Sequence, residues 1–282
     1  MKKIGFIDYY LDEWHANNYP AMIEEISEGE MKVAYAFGLI DPPKELGDRI
    51  SNREWSEKYG VELCASIDEV VEKSDYLVVL SPDNAEMHEL LSEKPLKSGK
   101  LTYIDKTFAP DKATAERIFK LADECGTPCF STSSLRFASE WQAIDKSDLR
   151  CIYSDGPGDV GIYAIHQIEP IICMMDARPA RLMFLGSAEH PSYLIEFEDG
   201  RHAQIWHRKL KGGSYRLNFV NSENRATPVK VESDYFRLFL EELVRSFRTG
   251  VVPVPHEQTV AVMACIEAAV KGMERPFEWI AL

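Results

Sequence analysis

The chain has 282 residues, 45% of them hydrophobic and 11% aromatic, with a formal net charge of −14. That length and apolar content predict an ordered globular protein of about two domains. The acidic balance excludes nucleic acid and anionic membrane as partners, since both need a basic surface, and leaves a small molecule as the expected ligand. No apolar run approaches the roughly 20 residues that span a bilayer, and the N-terminus lacks a signal-peptide core, so a cytoplasmic protein is expected. Six cysteines (Cys64, Cys125, Cys129, Cys151, Cys173 and Cys265) lack paired C-x-x-C spacing. They read as free, mostly buried thiols, with neither a metal site nor a disulfide framework.

In chain order, "KKIGFID" reads as a strand, "WHANNYPAMIEEIS" as a helix, "MKVAYAFGLID" as a strand, "SNREWSEKYG" as a helix and "VELCAS" as a strand. "IDEVVEKS" follows as a short helix, "DYLVVLSP" as a strand, "NAEMHELLSEKPLKSG" as a helix, "KLTYIDKT" as a strand, "DKATAERIFKLADECG" as a helix and "TPCFSTSS" as a strand. This alternation predicts an α/β, Rossmann-like domain over residues 1–130, with a parallel sheet that binds ligands at the carboxyl ends of its strands. After Trp141 the runs "ARLMFLG", "SYLIEFEDGRHAQIWHRKL" and "SYRLNFVNS" alternate, joined by Asp199-Gly200 and Gly212-Gly213, which are hairpin signals. Two helical stretches, "DYFRLFLEELVRSFRTG" and "HEQTVAVMACIEAAVKGM", close the chain. Residues 131–282 are therefore expected to form an α+β domain on a mainly antiparallel sheet.

The stretch "LVVLSPDNAEMHELL…GKLTYIDKTFAPDKATAERIFKLADECGTPCF", the segment "DVGIYAIHQIEPIICMM" and the terminal "EQTVAVMACIEAAVKG" occur in an order that resembles the glucose-fructose oxidoreductase and inositol dehydrogenase (Gfo/Idh/MocA) family. The resemblance implies an NAD(P)-dependent oxidoreductase of a sugar, polyol or related hydroxy compound, and a homo-oligomer, dimer or tetramer, packed through the open face of the second sheet. The literal "EKP" at Glu93-Lys94-Pro95 sits in a polar helical end and reads as a solvated charge cluster. The position matching the family's Glu-Lys-Pro is "DKT", Asp105-Lys106-Thr107, at the end of an apolar strand. There the Lys106 ammonium could hydrogen-bond a substrate hydroxyl and handle its proton. In a helix starting at Asp159, the residues Asp159, Tyr163 and His166 fall at i, i+4 and i+7 on one face. That spacing serves either hydroxyl binding or core packing with Asp159 as a cap. The resemblance implies that Tyr163 takes the proton-transfer position, Asp159 the orienting acid, and that His166 stands where the family has an acidic residue. It also implies a nicotinamide-side loop at Pro82 and Asn84, with His88 beside it; helix capping is the other reading of Asn84.

Dinucleotide folds need three glycines at the first strand-to-helix turn, for tight turning, backbone approach to the pyrophosphate and close packing. In "GFIDYYLDEWH" those positions carry Asp8, Tyr10 and Glu13, with Asp12 adjacent. A carboxylate about 5 Å from a phosphate costs on the order of 3 kcal/mol at an effective dielectric of 20, roughly a hundredfold in affinity. Acidic groups at a helix start also complement its dipole with no ligand present, so the loop reads as a self-capped helix start. Asp41, after the second strand, is the candidate for an adenosine ribose, or else part of a Pro42-Pro43 turn. Two functions follow. The leading one is an NAD(P)-dependent oxidoreductase with catalytic Lys106, Tyr163, Asp159 and His166 and a cofactor site at Asp8, Tyr10, Asp41, Pro82, Asn84 and His88. The alternative is a ligand-binding, regulatory or non-redox protein that has lost the dinucleotide.

Overall fold

The computed structural model describes residues 1–208 and 212–282, so Lys209 and Leu210, the end of one expected alternating run, lie outside the described residues. The chain divides into two compact units. One comprises Met1–Ala109, Ala113–Ser131 and Leu240–Pro255, and the other Pro110–Lys112, Thr132–Phe239 and His256–Leu282.

In the first unit β1 (Lys2–Asp8), α1 (Trp14–Ile26), β2 (Met31–Gly38), α2 (Asn52–Tyr59), β3 (Glu62–Leu63), α3 (Ile67–Lys73), β4 (Tyr76–Val79), α4 (His88–Leu96), β5 (Thr102–Ile104), α5 (Lys112–Cys125) and β6 (Cys129–Phe130) alternate as expected. The six strands pair in the order β3-β2-β1-β4-β5-β6, and every pairing is parallel. Ile4, Phe6, Ile7, Leu77, Val78 and Val79 on the two central strands are all buried; a parallel sheet covered on both faces has no solvent side on which polar residues could alternate. The chain leaves β1 toward β2 on one side and returns to β4 on the other. The carboxyl ends of β1 and β4 therefore flank the point where strand order reverses, which is where such sheets take ligands.

The second unit holds β7 (Leu149–Pro157), α6 (Val160–Tyr163), α7 (Ile165–Met175), β8 (Pro179–Phe184), β9 (Ser192–Phe197), β10 (His202–Arg208), β11 (Arg216–Asn221) and β12 (Ala226–Lys230). After these come α8 (Tyr235–Thr249), α9 (His256–Gly272) and β13 (Trp279–Ala281). Strand order is β12-β11-β7-β10-β9-β8-β13. All neighbours are antiparallel except β7 with β10, which run parallel. Along β10, Ala203, Ile205 and His207 are buried while His202 and Trp206 are exposed, the two-residue period of a sheet with one covered face.

Asp199-Gly200 joins β9 to its antiparallel neighbour β10, as expected. Gly212-Gly213 does not make a hairpin: β10 and β11 are separated by β7, which pairs with both. The glycine pair marks a reversal, but the central place is taken by Leu149–Pro157, whose terminal Asp155, Gly156 and Pro157 disguise a strand as a turn. α8 runs from the second unit into the first, whose third segment begins at Leu240.

Candidate functional site

The turn from β1 into α1 is filled by its own side chains. Glu13 takes extended backbone angles as the N-cap of α1, and its carboxylate accepts the N–H groups of His15, at 2.7 Å, and of Ala16. Asp12 accepts the backbone N–H of Ile50 and the side-chain amide of Asn17, both at 2.9 Å. The Leu11 N–H donates at 2.9 Å to the amide oxygen of buried Asn52, whose nitrogen donates at 2.7 Å to the Ile40 carbonyl. A Cβ on Gly38 would stand 2.5 Å from that amide, so only glycine admits Asn52 here. Asp41 accepts the Asn52 N–H at 2.8 Å. Tyr10 is buried beneath the Arg49 guanidinium, 5.3 Å from its ring centre.

Behind this turn lies a buried ionisable cluster. His15 Nδ1 pairs with Asp105, whose other carboxylate oxygen accepts the Tyr103 hydroxyl at 2.9 Å and the Lys106 N–H at 2.8 Å. The His15 ring stacks on Tyr19 with centres 4.9 Å apart. Asp8, at the end of β1, accepts the Tyr9 N–H at 2.7 Å. Its second oxygen is buried with no hydrogen-bond partner among the described residues. Burial, then the facing Glu13 carboxylate, pushes the Asp8 carboxyl well above the usual range. Burial likewise pushes Glu13 up to about 7, against the pull of His15 and the two N–H groups it caps. For His15 and Asp105 burial opposes ionisation, yet each charge outweighs it for the other: His15 is raised and Asp105 lowered, as an ion pair requires.

Lys106, half-buried just past β5, donates from Nζ to the Pro82 carbonyl at 3.3 Å, and the Lys106–Thr107 peptide is cis. Asn84 gives no side-chain cap to the turn that follows it; its amide donates to Glu86 at 3.1 Å. His88 is wholly buried, with Nε2 2.7 Å from the Leu80 carbonyl and Nδ1 3.1 Å from that of Phe108, and burial lowers its pKa. It ties the end of β4 to the segment after β5. Glu93-Lys94-Pro95 lies within α4, where Lys94 pairs with Asp68 at 3.2 Å and Glu93 with Lys97 at 2.5 Å. Glu62, Cys64 and Glu69 also approach one another, but Lys73 spans both carboxylates, as in an ordinary surface ion pair.

In the second unit Asp159 caps α6, accepting the Gly161 N–H at 3.1 Å. Ala164 keeps helical angles between α6 and α7, so Tyr163 and His166 stay on one side with ring centres 5.8 Å apart. Gly158 has φ +109, and a Cβ there would strike the Tyr163 ring at 2.4 Å; its absence lets the phenol lie over the turn. Tyr163 is 44% exposed. His166 Nδ1 lies 2.7 Å from the Ser133 hydroxyl, and Ser133 is in turn fixed by its N–H to the buried Glu169 carboxylate at 2.6 Å. The sequence pattern singled out none of His15, Asn52, Ser133 and Glu169. A histidine on the buried stripe of α1 and an acid directly before Lys106 were the only signals.

The chain is similar in structure to myo-inositol dehydrogenase from Lactobacillus casei, solved with NAD(H) and myo-inositol: TM-score 0.79, 12% identity, covering 100% of this chain and 97% of the other. GenD2 from gentamicin A biosynthesis, solved with NAD, gives TM-score 0.76 at 13% identity over 100% and 96% of the two chains. UDP-N-acetylglucosamine 3-dehydrogenase GnnA from Acidithiobacillus ferrooxidans gives 0.75 at 14% over 97% and 99%. No family model matches this sequence, nor does any curated protein. The fold is thus that of the Gfo/Idh/MocA-type dehydrogenases, and of these neighbours GenD2 and the myo-inositol dehydrogenase were solved with NAD. The residues of this β1–α1 turn do not fit a dinucleotide diphosphate. The N–H groups of Leu11, His15 and Ala16 are already taken, the last two by the Glu13 carboxyl. Among the described residues no helix is long and apolar enough to cross a membrane.

Proposed function

We propose that this chain handles a small polyhydroxylated molecule of the sugar or polyol class on a dehydrogenase fold. The observation that carries the reading is the Lys106 ammonium, held by the Pro82 carbonyl at the carboxyl end of the parallel sheet. A cation there donates to a hydroxyl or carbonyl oxygen and stabilises negative charge on it. In the second unit Tyr163 and His166 offer a phenol and an imidazole to hydroxyl groups, with Asp159 orienting them from the head of α6. The names of the structural neighbours support oxidation of such a hydroxyl with NAD or NADP. The filled β1–α1 turn favours the other reading, a ligand-binding or non-redox protein, and no hydride step is assigned to these residues. Residues 1–130 then supply the Rossmann-like framework, and residues 131–282 the ligand-selecting and self-association surface. Tyr153, 41% exposed, and Trp206, 50% exposed, stand on the open face of β7 and β10, an apolar patch suited to pairing with a second copy.

The test is a thermal-shift and calorimetric panel of inositols, hexoses and nucleotide sugars at millimolar concentration. At least one compound should raise Tm in the native protein, with its affinity reduced at least about tenfold in Lys106→Ala or in Tyr163→Phe, the loss of a hydrogen bond to a charged or buried group. A panel in which nothing binds, or binding indifferent to both substitutions, overturns the reading.

A further inference from the structure

In parallel sheets of this strand order a bound diphosphate rests on open N–H groups at the start of the first helix, favoured by the helix dipole. Here the Glu13 carboxylate sits on the N–H groups of His15 and Ala16, the same donors a phosphate would use. Asn52 closes the turn at Leu11 and Asp12 is drawn away to Ile50 and Asn17. Asp8 stands behind Glu13, nine-tenths and more buried, with one oxygen unpartnered among the described residues. A phosphate entering the turn would have to displace Glu13 and then lie beside Asp8. Ionised, one such carboxyl at about 5 Å reduces affinity roughly a hundredfold, more than the dipole restores; protonated, Glu13 still occupies the N–H groups a phosphate would use.

We propose that Glu13 is a built-in occupant of the diphosphate position of this fold, so that the chain holds NAD, NADP and ADP weakly and gains a nucleotide-phosphate site when that carboxylate is removed. This is independent of which hydroxylated molecule the protein handles. The experiment is calorimetric titration of the full chain with NADH, NADPH, ADP and, as the phosphate-free control, adenosine. The native protein should bind the three phosphate-bearing probes with Kd of tens of micromolar or weaker, as a rough expectation. The double variant Asp8→Gly with Glu13→Gly should bind them at least about tenfold more tightly.

If that variant fails to fold, as read by circular dichroism, Glu13→Ser decides. A serine still caps the helix but is too short to fill the phosphate position, and it should show the same direction of change. Glu13→Gln, which keeps one oxygen of equal reach for one of the two N–H groups, should gain less than Glu13→Ser. Sub-micromolar binding of NADH by the native protein overturns the proposal. So does the absence of any gain in the folded glycine and serine variants, or a gain for adenosine equal to that for ADP.

Discussion

The two polar regions picked out from the sequence differ in what their charges face. In the β1–α1 turn Asp8, Glu13, His15 and Asp105 are buried and answer one another. On the α6–α7 face Asp159 and Tyr163 are exposed and His166 half-buried, and the Asp159 carboxylate accepts the Gly161 N–H of its own helix turn. Similar residue types therefore act in the first region as internal ballast for the fold, while in the second they remain available to a ligand. Burial separates the two, because a desolvated charge must find its partner within the protein whereas a solvated one need not.

The largest effect expected from this contrast is in the buried pair. Asp105→Ala leaves His15 without its counter-charge and should cost about 3–5 kcal/mol in denaturant unfolding, as for other severed buried pairs; a cost near that of a surface substitution would show that His15 and Asp105 are not paired. Next, Gly38→Ala forces a methyl against the Asn52 amide and should cost about 1–3 kcal/mol by overpacking. By comparison, Asp159→Ala at the exposed α6 cap should cost about 1 kcal/mol, and Tyr163→Phe less than about 0.5 kcal/mol, its effect falling on ligand affinity. A destabilisation by Tyr163→Phe that matched Asp105→Ala would erase the distinction between the two regions.

The buried region also carries a pH response. Asp8, Glu13 and His15 all have folded pKa values raised above their ordinary ones. Each holds its proton in the folded state where the unfolded chain has released it, so its contribution is present at low pH and lost as pH rises through the folded value. For Glu13 that window lies between its ordinary value near 4.5 and about 7. Asp105 has the opposite sign, its contribution fading only as pH falls through its lowered value. Melting temperature should therefore rise on acidification from pH 8 to 6, and the rise should shrink in the Asp8→Asn, Glu13→Gln variant. An unchanged slope in that variant would assign the pH response to other groups.

Most of the first sheet was legible because its strands are short apolar runs between amphipathic helices, a signal carried in each segment alone. β7 was not. Its second half is written in turn-forming residues, and what makes it a strand is pairing with β10 and β11, both of them more than 40 residues later in the chain. The self-capped start of α1 could be read from Glu13 and its neighbours, since a cap is a local bond between residues two and three apart.

The sequence by itself determined the alternation of elements, the carboxyl-rich first turn and the helical spacing of Asp159, Tyr163 and His166, all of which follow from local periodicity and backbone chemistry. Only the tertiary structure decided that Asn52 reaches back to plug the turn at Leu11, that His15 finds Asp105 ninety residues away, and that Ser133 meets His166. Those contacts depend on which strands lie side by side. Strand order is set by packing summed over a whole sheet, and no single stretch of sequence encodes it.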